Sequence, residues 1–336
     1  MSERNMTVHD SSRGPEASQW RHRLEDLSPE LRTQIRSLYG IRPLANSILL
    51  LHPAAWISSI AIMQRWPEEW PIRIAGIVVI AISVQAMGTL MHEALHGNLF
   101  RNTFLDRWVG FALGVPTFFS ASAYKVTHLN HHRHTRSEKD MDEFSYACRT
   151  RRQYIALFYA SFLVGSILYM FAVPVKAYAM ASRINRRRIV AEYSLMLLVY
   201  SIAVTFLFVI GHAEWLLWYW LGPISVAVIL SNIRALSEHM GTLDEGDAML
   251  KTRTVTSNRL VSFLMLNLNY HLEHHLFPAV PWYNLPKIHQ LLKPMYESRG
   301  AVVRKSYAAF VLECFRRAPE PVNSLPRHVS AVKPAA

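Results

Sequence analysis

Apolar residues in this chain gather in long unbroken runs, not at every second position or on one face of a helical repeat. Leu44–Met63, Ile72–Met91, Ile189–Ile210 and Trp215–Ile233 are each about 20 residues long, enough to cross a bilayer as a helix. Ile72–Met91 carries one charge, Arg73. Ile189–Ile210 carries Glu192, and Trp215–Ile233 carries none. The run Leu44–Met63 is weakened by His52 and Pro53, and Tyr154–Val173 is a fifth of similar length. A shorter apolar piece, Trp108–Ala123, is broken by Gly114 and Pro116. So many runs of this length together argue against buried helices of a soluble core. They predict an all-α integral membrane protein.

The flanks differ in character. Residues 1–42 are polar and mixed in charge, without the basic-then-apolar layout of a cleavable signal peptide. They read as a cytosolic N-terminal arm with a short helix near Pro29–Leu38. Residues 43–318 form the membrane domain. Residues 319–336, rich in Pro and Val, form a flexible C-terminal tail that frays.

Composition sharpens this picture. Hydrophobic residues make up 51% of the 336, and the net charge is +12. The basic residues cluster beside the apolar runs, at Arg149–Arg152, Arg183–Arg188 and Lys251–Arg259. Positive charge flanking a span marks the cytoplasmic side and attracts anionic lipid. It also provides a docking face for an acidic partner. No motif supports nucleic-acid binding. The two cysteines, Cys148 and Cys314, form no pair spaced for zinc or an iron–sulfur cluster.

Sixteen histidines are present, and eight of them fall in three tight groups. His92 and His96 lie in HEALHG. His128, His131 and His132 lie in THLNHHRHT. His271, His274 and His275 lie in NYHLEHHLFP. On a helix, positions i, i+3 and i+4 share a face, so each group presents its imidazoles together. His239, in NIRALSEHMGT after the last apolar run, is a ninth candidate ligand. Neutral imidazole ligates iron, zinc, copper and nickel. A catalytic zinc takes three protein ligands, so this many converging rings suits two metal ions. His134 breaks the spacing of the second group and reads as an outer or solvent-facing residue. His9, His22, His212, His289 and His328 read as surface histidines.

Ligands of one centre must lie on one side of the membrane. Leu44–Met63 and Ile72–Met91 form a hairpin around QRWPEEW, whose Glu68 and Glu69 suit the outer side. The second helix then delivers His92 and His96 to the inner side. Trp108–Ala123 is expected to be re-entrant or interfacial. Three apolar runs separate the second group from the third, so one of them must not cross. Arg183, Arg186, Arg187 and Arg188 follow Tyr154–Val173, which places that run at the inner interface, or dipping and returning through Pro174. The expected architecture is four transmembrane helices with re-entrant or interfacial helices. A cytosolic helical cap holds a histidine-ligated two-metal site, and both termini are cytoplasmic.

HEALH also fits the H-E-x-x-H spelling of zinc peptidases. That reading leaves both H-x-x-H-H groups unexplained, and its nearest third ligand, LDEGD at 243–247, lies outside the apolar runs. A metal-chelating histidine loop would have ragged spacing. A metal transporter would carry ionisable residues at mid-membrane, and these spans hold few.

With these residues in hand, the chain resembles the membrane fatty-acid desaturases, the di-iron enzymes with three histidine boxes. The resemblance runs from about Leu44 to Pro294. HEALHG is similar to the first box, HLNHH to the second and HLEHH to the third. NIRALSEH resembles the segment that often contributes an additional ligand, here His239. HLEHHLFPAVPWYNLPKIHQLL resembles the bacterial lipid-desaturase branch, which implies a bacterial inner membrane. The family often has an asparagine soon after the second box, where this chain has Arg136; the departure leaves the subfamily and its substrate open.

The resemblance implies two iron ions, dioxygen as co-substrate and an aliphatic or lipid substrate. The outcome would be a double bond in an acyl chain, or in a small amino-acid-like metabolite, with hydroxylase or ketolase chemistry as the alternative on the same scaffold. Unactivated C–H bonds yield to a cofactor, not to side-chain acids or bases. Glu93, Asp140, Asp142, Glu238 and Glu273 are candidates to hydrogen-bond the ligating imidazoles. The chain has no heme-binding HPGG or dinucleotide fingerprint. Electrons are therefore expected from a separate ferredoxin, rubredoxin or cytochrome b5-like donor on the basic cytosolic face.

Overall fold

The structure, a computed structural model, describes residues 27–243 and 246–321. His9, His22, His328, most of the N-terminal arm and most of the tail lie outside the described residues. Helix α1, Pro29–Ser37, is capped by Ser28, with Pro29 at its first position. The expected short helix of the arm is therefore present.

The apolar runs become five helices, three of them longer than the runs themselves. These are α2 (Ile48–Arg65), α3 (Trp70–Leu95), α6 (Arg151–Met180), α7 (Arg183–Val209) and α8 (Gly222–His239). A π-helical turn, Leu217–Leu221, leads into α8. With the turns that extend them, five helices among the described residues are long and apolar enough to cross a membrane. Large apolar side chains such as Leu50, Leu163, Phe171, Leu198, Phe206 and Val209 stand exposed on α2, α6 and α7. A surface like this is stable facing lipid, not water.

Between α3 and α6 lie α4 (Thr103–Gly114) and α5 (Ala121–His134). The expected single element Trp108–Ala123 is thus two helices, broken between them. The break falls where the backbone closes up. An added Cβ on Gly114 would stand 2.2 Å from the carbonyl oxygen of Phe119, so only glycine fits that corner. Helix α4 packs on α3, and α5 packs on α6 and α7.

Helix α6 corrects one expectation. It runs straight through Pro174 as a single 30-residue helix, so the chain does not dip and return there. Near its start, Phe158 packs in one cluster with Leu236 and Met240 at the end of α8. Near its finish, Val173 and Ala177 cluster with Ala123 of α5 and Ile189 at the start of α7. At mid-length the backbone N–H of Ser166 donates to Oδ1 of Asn232 on α8 at 2.6 Å, and Asn232 donates to the Phe162 carbonyl at 3.1 Å.

The C-terminal part folds over the histidine-bearing helix ends. It comprises α9 (Arg259–Leu264), α10 (His271–Leu276), α11 (Leu285–Arg299) and α12 (Tyr307–Arg316). Two short strands, β1 (Thr254–Val255) and β2 (Val303–Arg304), pair in parallel. Leu272, Leu276, Phe277, Leu285, Ile288 and Leu292 form a separate buried cluster beneath this cap.

Candidate metal centre

Each histidine group sits where a helix ends. Helix α3 stops at Leu95, with His96 as its cap residue. Gly97 follows at φ +71°. Its N–H donates to the Ala94 carbonyl and that of Asn98 donates to the Glu93 carbonyl, at 3.1 and 3.0 Å. This is a Schellman stop, which needs a left-handed residue. The glycine of HEALHG is therefore what turns the chain immediately after the second imidazole.

Helix α5 carries His128, His131 and His132 in its last turns. At its other end, Ser120 caps Ala123 N–H at 3.0 Å. Glu192 of α7 accepts from Ser120 Oγ at 2.7 Å and from Ser122 N–H at 2.9 Å. A carboxylate at a helix N-terminus is stabilised by the helix dipole, so Glu192, an acid inside an apolar run, fixes α5 to α7. Helix α10 has only six residues and begins at His271. Such a helix cannot hold itself. Asn269, fully buried, anchors the approach by donating to the carbonyl of Val255 at 2.8 Å and to Ser262 Oγ at 3.1 Å.

All nine expected histidines come together, in two groups. His92, His96, His128, His132 and His274 form one; His131, His239, His271 and His275 form the other. Within each group the potential ligand atoms lie within 4.8 Å of one another. In the first, His128 Nε2 lies 3.0 Å from His96 Nε2 and 2.9 Å from His132 Nε2, which in turn is 3.0 Å from His274 Nε2. In the second, His271 Nε2 lies 2.9 Å from His239 Nε2 and 3.0 Å from His275 Nε2. His134, part-exposed beyond the turn, belongs to neither.

These separations fit a metal ion. Two nitrogens at right angles on bonds of about 2.1 Å stand about 3.0 Å apart. Burial pushes the His128, His132, His271, His274 and His275 imidazoles well below their usual range, and His96 to about 3. They are therefore neutral at physiological pH, with lone pairs free for ligation. Both ring nitrogens of His92 are buried without a hydrogen-bond partner.

His131 differs. Burial, the largest single influence, would lower it, but Asp140 together with Asp142 and Glu238 raises it to about 9. Its Nδ1 lies 3.0 Å from Asp140 Oδ1, which orients Nε2 towards its group. Asp142 stands 3.6 Å from the same nitrogen.

The other expected carboxylates take different places. Glu93 is 3.7 Å from His92 Nδ1. It accepts from Trp282 N–H at 2.9 Å and from Asn98 Nδ2 at 3.3 Å. Asn98 also donates to the Pro278 carbonyl at 2.9 Å. Glu93 and Asn98 thus tie the first box to the turn after the third. Glu273 accepts from Thr254 Oγ1, and its Oε1 lies 2.6 Å from His289 Nδ1. His289 is therefore largely buried, against the expectation of a surface histidine, because α11 folds back over α10. His212 is exposed as expected. Glu238 Oε2 lies 3.6 Å from His271 Nε2. Arg136, at φ +66°, is wholly buried; it pairs with Glu143 and donates to the Thr242 carbonyl at 3.2 Å, linking the loops after His132 and His239.

Comparison with known proteins agrees with this geometry. A family model described as fatty acid desaturase matches residues 68–307. The sphingolipid delta(4)-desaturase/C4-monooxygenase DES2 of Homo sapiens is 24% identical over 74% of this chain and 73% of its own length. The sn-1 oleoyl-lipid 12-desaturase of Arthrospira platensis is 24% identical over 58% of this chain and 60% of its own. The zeaxanthin 4-ketolase of Chlamydomonas reinhardtii is 27% identical over 60% and 40%.

Proposed function

We propose that this chain, which belongs to the fatty acid desaturase family, is an oxygen-dependent di-iron desaturase that places a double bond in an acyl chain or a related aliphatic substrate. The observation that carries this reading is the gathering of nine imidazoles into groups of five and four at the ends of apolar helices. His92, His96, His128, His132 and His274 would hold one iron, and His131, His239, His271 and His275 the other. The pair of irons supplies the activation of dioxygen that no side chain here can perform.

The chain's own residues do the rest. The ring of helix ends fixes the imidazoles and keeps bulk water from a site where C–H bonds are broken. On α3, Gly88 lies one turn before His92 on the same face, and a Cβ there would meet nothing within 4 Å. That open space beside the ligand-bearing face suits an apolar chain. Its placement relative to the irons decides between losing a second hydrogen and gaining oxygen. The alternative outcome, hydroxylation or ketone formation, is favoured by one fact: relatives of this chain include a monooxygenase and a ketolase by name.

In the same reading residues 43–318 are one catalytic unit, and four helices, α2, α3, α7 and α8, cross the bilayer. Helix α6 lies along the inner side. Its two ends pack against the last turn of α8 and the first turns of α7, which are the same ends of an antiparallel pair. The histidines and both termini then face the cytoplasm. The bacterial cytoplasmic membrane is the setting that relatives from Arthrospira and Bacillus support. A separate ferredoxin, rubredoxin or cytochrome b5-like donor would meet the basic cytosolic face.

Mass spectrometry of lipids and soluble metabolites from cells expressing the chain, against His271→Ala, tests the function. Acyl chains lighter by two hydrogens only with intact His271 support it. A gain of one oxygen moves the chain to the hydroxylases. A change confined to a small soluble metabolite moves it to a non-lipid substrate.

A further inference from the structure

We propose that Glu238 is itself a metal ligand, supplying a carboxylate oxygen to the site formed by His131, His239, His271 and His275. The inference rests on the reading of that site as a metal centre and adds a donor of a second chemical kind.

The carboxylates around the histidines differ in which ring nitrogen they address. Asp140 and Asp142 stand at Nδ1 of His131, and Glu93 is nearest to Nδ1 of His92. Glu273 stands at Nδ1 of His289, outside both groups. Each therefore braces a ring from behind or takes no part. Among the described residues, Glu238 alone is paired within 4 Å with an Nε2 that itself touches two other ring nitrogens of its group. Its Oε2 is 3.6 Å from His271 Nε2, the same nitrogen that touches His239 and His275 at 2.9 and 3.0 Å. A group that approaches from the inside shares the space where an ion would sit.

Glu238 also lacks the partners that a buried carboxylate needs. It is 2% exposed, and its Oε1 has no hydrogen-bond partner. The nearest cation, Arg234 one turn earlier on α8, stands with Nε 3.6 Å from Oε1 and makes no hydrogen bond from Nε or Nη1. Leaving an ionised carboxylate buried and unsatisfied is costly. Glu192 and Glu273, equally buried, each accept two or more hydrogen bonds or contacts from neighbours. Glu93 leaves its Oε1 unpartnered but accepts two on Oε2, whereas the Glu238 carboxylate accepts none. Glu238 has the Arg234 guanidinium on one side, an ion pair at 3.6 Å without a hydrogen bond, and the histidine site at 3.6 Å on the other. A divalent ion among the four imidazoles would give Oε2 its missing partner.

Donor number and charge point the same way. One site has five imidazoles and the other has four. Nine neutral rings leave the full charge of two dications buried, and a single carboxylate offsets part of it. Carboxylate is a good donor to ferrous iron. Placing it beside His239 on α8 puts two donors on one rigid element. Arg234, an arginine within an apolar helix, then has a role: it keeps Oε1 charged and turns Oε2 inward.

The test uses full-length protein in detergent, made metal-free and reloaded anaerobically with ferrous iron. Wild type is expected to retain two irons in two distinct Mössbauer environments. Glu238→Gln is expected to lose half of its iron on gel filtration. The affinity of the weaker site should fall by more than the roughly 10–100-fold that loss of an outer partner costs. The component that remains should be the five-imidazole one. Metal-free variant and wild type should share one elution profile and one melting curve. Infrared difference spectra of the wild type on iron loading should show a carboxylate stretch moving to a metal-bound position. This second measurement stands even where the variant fails to fold. Two irons retained in Glu238→Gln with the wild-type spectrum, or no carboxylate band on loading, overturns the assignment of Glu238. Failure of the wild type to hold two irons overturns the metal-centre reading instead.

Discussion

The five-histidine group and the four-histidine group are built from different supports. The five come from paired residues at the ends of two long helices, α3 and α5, plus His274. The four come from the pair His271 and His275 on a six-residue helix, joined by His131 and His239. Their surroundings differ as well. His131 is braced by Asp140, and Glu238 stands near His271. Both groups hold rings whose Nδ1 has no hydrogen-bond partner, His92 and His274 in the first and His239 and His271 in the second, so the carboxylates are what separates them. Rigidity and donor number serve the first site, and charge serves the second. Two ions held this way would not be equivalent.

Removing a ligand should break the comparison most severely. We expect His132→Ala and His271→Ala each to reduce product below detection, while iron analysis shows that each strips one site and spares the other. Loss of both irons from either variant would mean that the sites stand or fall together. Next comes Asp140→Asn, which should weaken iron at the four-histidine site by about 10–100-fold and leave the five-histidine site unchanged; competitive chelation measures both. The counterpart on the other side is Asn98→Ala. It removes the tie between the first box and the Pro278 carbonyl and should cost about 1–3 kcal/mol of stability, read from thermal melts.

The smallest effect is in pH. In the metal-free protein His96 titrates at about 3, below its unfolded value, so its contribution is present above about pH 6.5 and is lost as pH falls towards 3. His131 has the opposite sign. Held at about 9 against burial by Asp140 with Asp142 and Glu238, it contributes fully below about 6.5 and loses that contribution as pH rises through 9. Asp140→Asn should therefore flatten the alkaline limb of a melting profile and, because His131 holds the Asp140 carboxyl below its usual range against burial, also remove Asp140's own share of the acid limb.

The sequence picked out the nine histidines that the fold brings together, but not how they are shared. H-x-x-H-H reads as three rings on one face. In the structure the i and i+4 rings, His128 with His132 and His271 with His275, join one group, and the i+3 ring, His131 or His274, joins the other. Helical geometry explains this. Residues i and i+4 are about 40° apart around the axis, while i+3 and i+4 diverge by about 100°. Local spacing contains that angle, but only the second helix shows where each ring goes. Asn98 and Asn269, and the bracing role of Arg136, were not legible for the same reason: each reaches a backbone carbonyl in another segment. His289 looked like surface because nothing local says that α11 folds back onto Glu273. Helix α6 shows the limit of hydropathy. It is as apolar as α3, yet 6% of its apolar window is buried against 56% for α3. The charges after it, and not its length, carried the topological expectation.

The sharing of rings also sets when the protein can acquire its metal. Each group draws on α5 and on α10, and His132 and His274 are 142 residues apart in the chain. No half of the polypeptide contains a finished site, so a nascent chain stopped before residue 271 has only partial chelates to offer. Ion capture must then follow translation and insertion of the last span. Because an ion binds only the completed arrangement, it draws the equilibrium towards chains whose distant segments have docked in register. Scarce iron would be felt first as slow maturation, before any fall in the turnover of chains already complete.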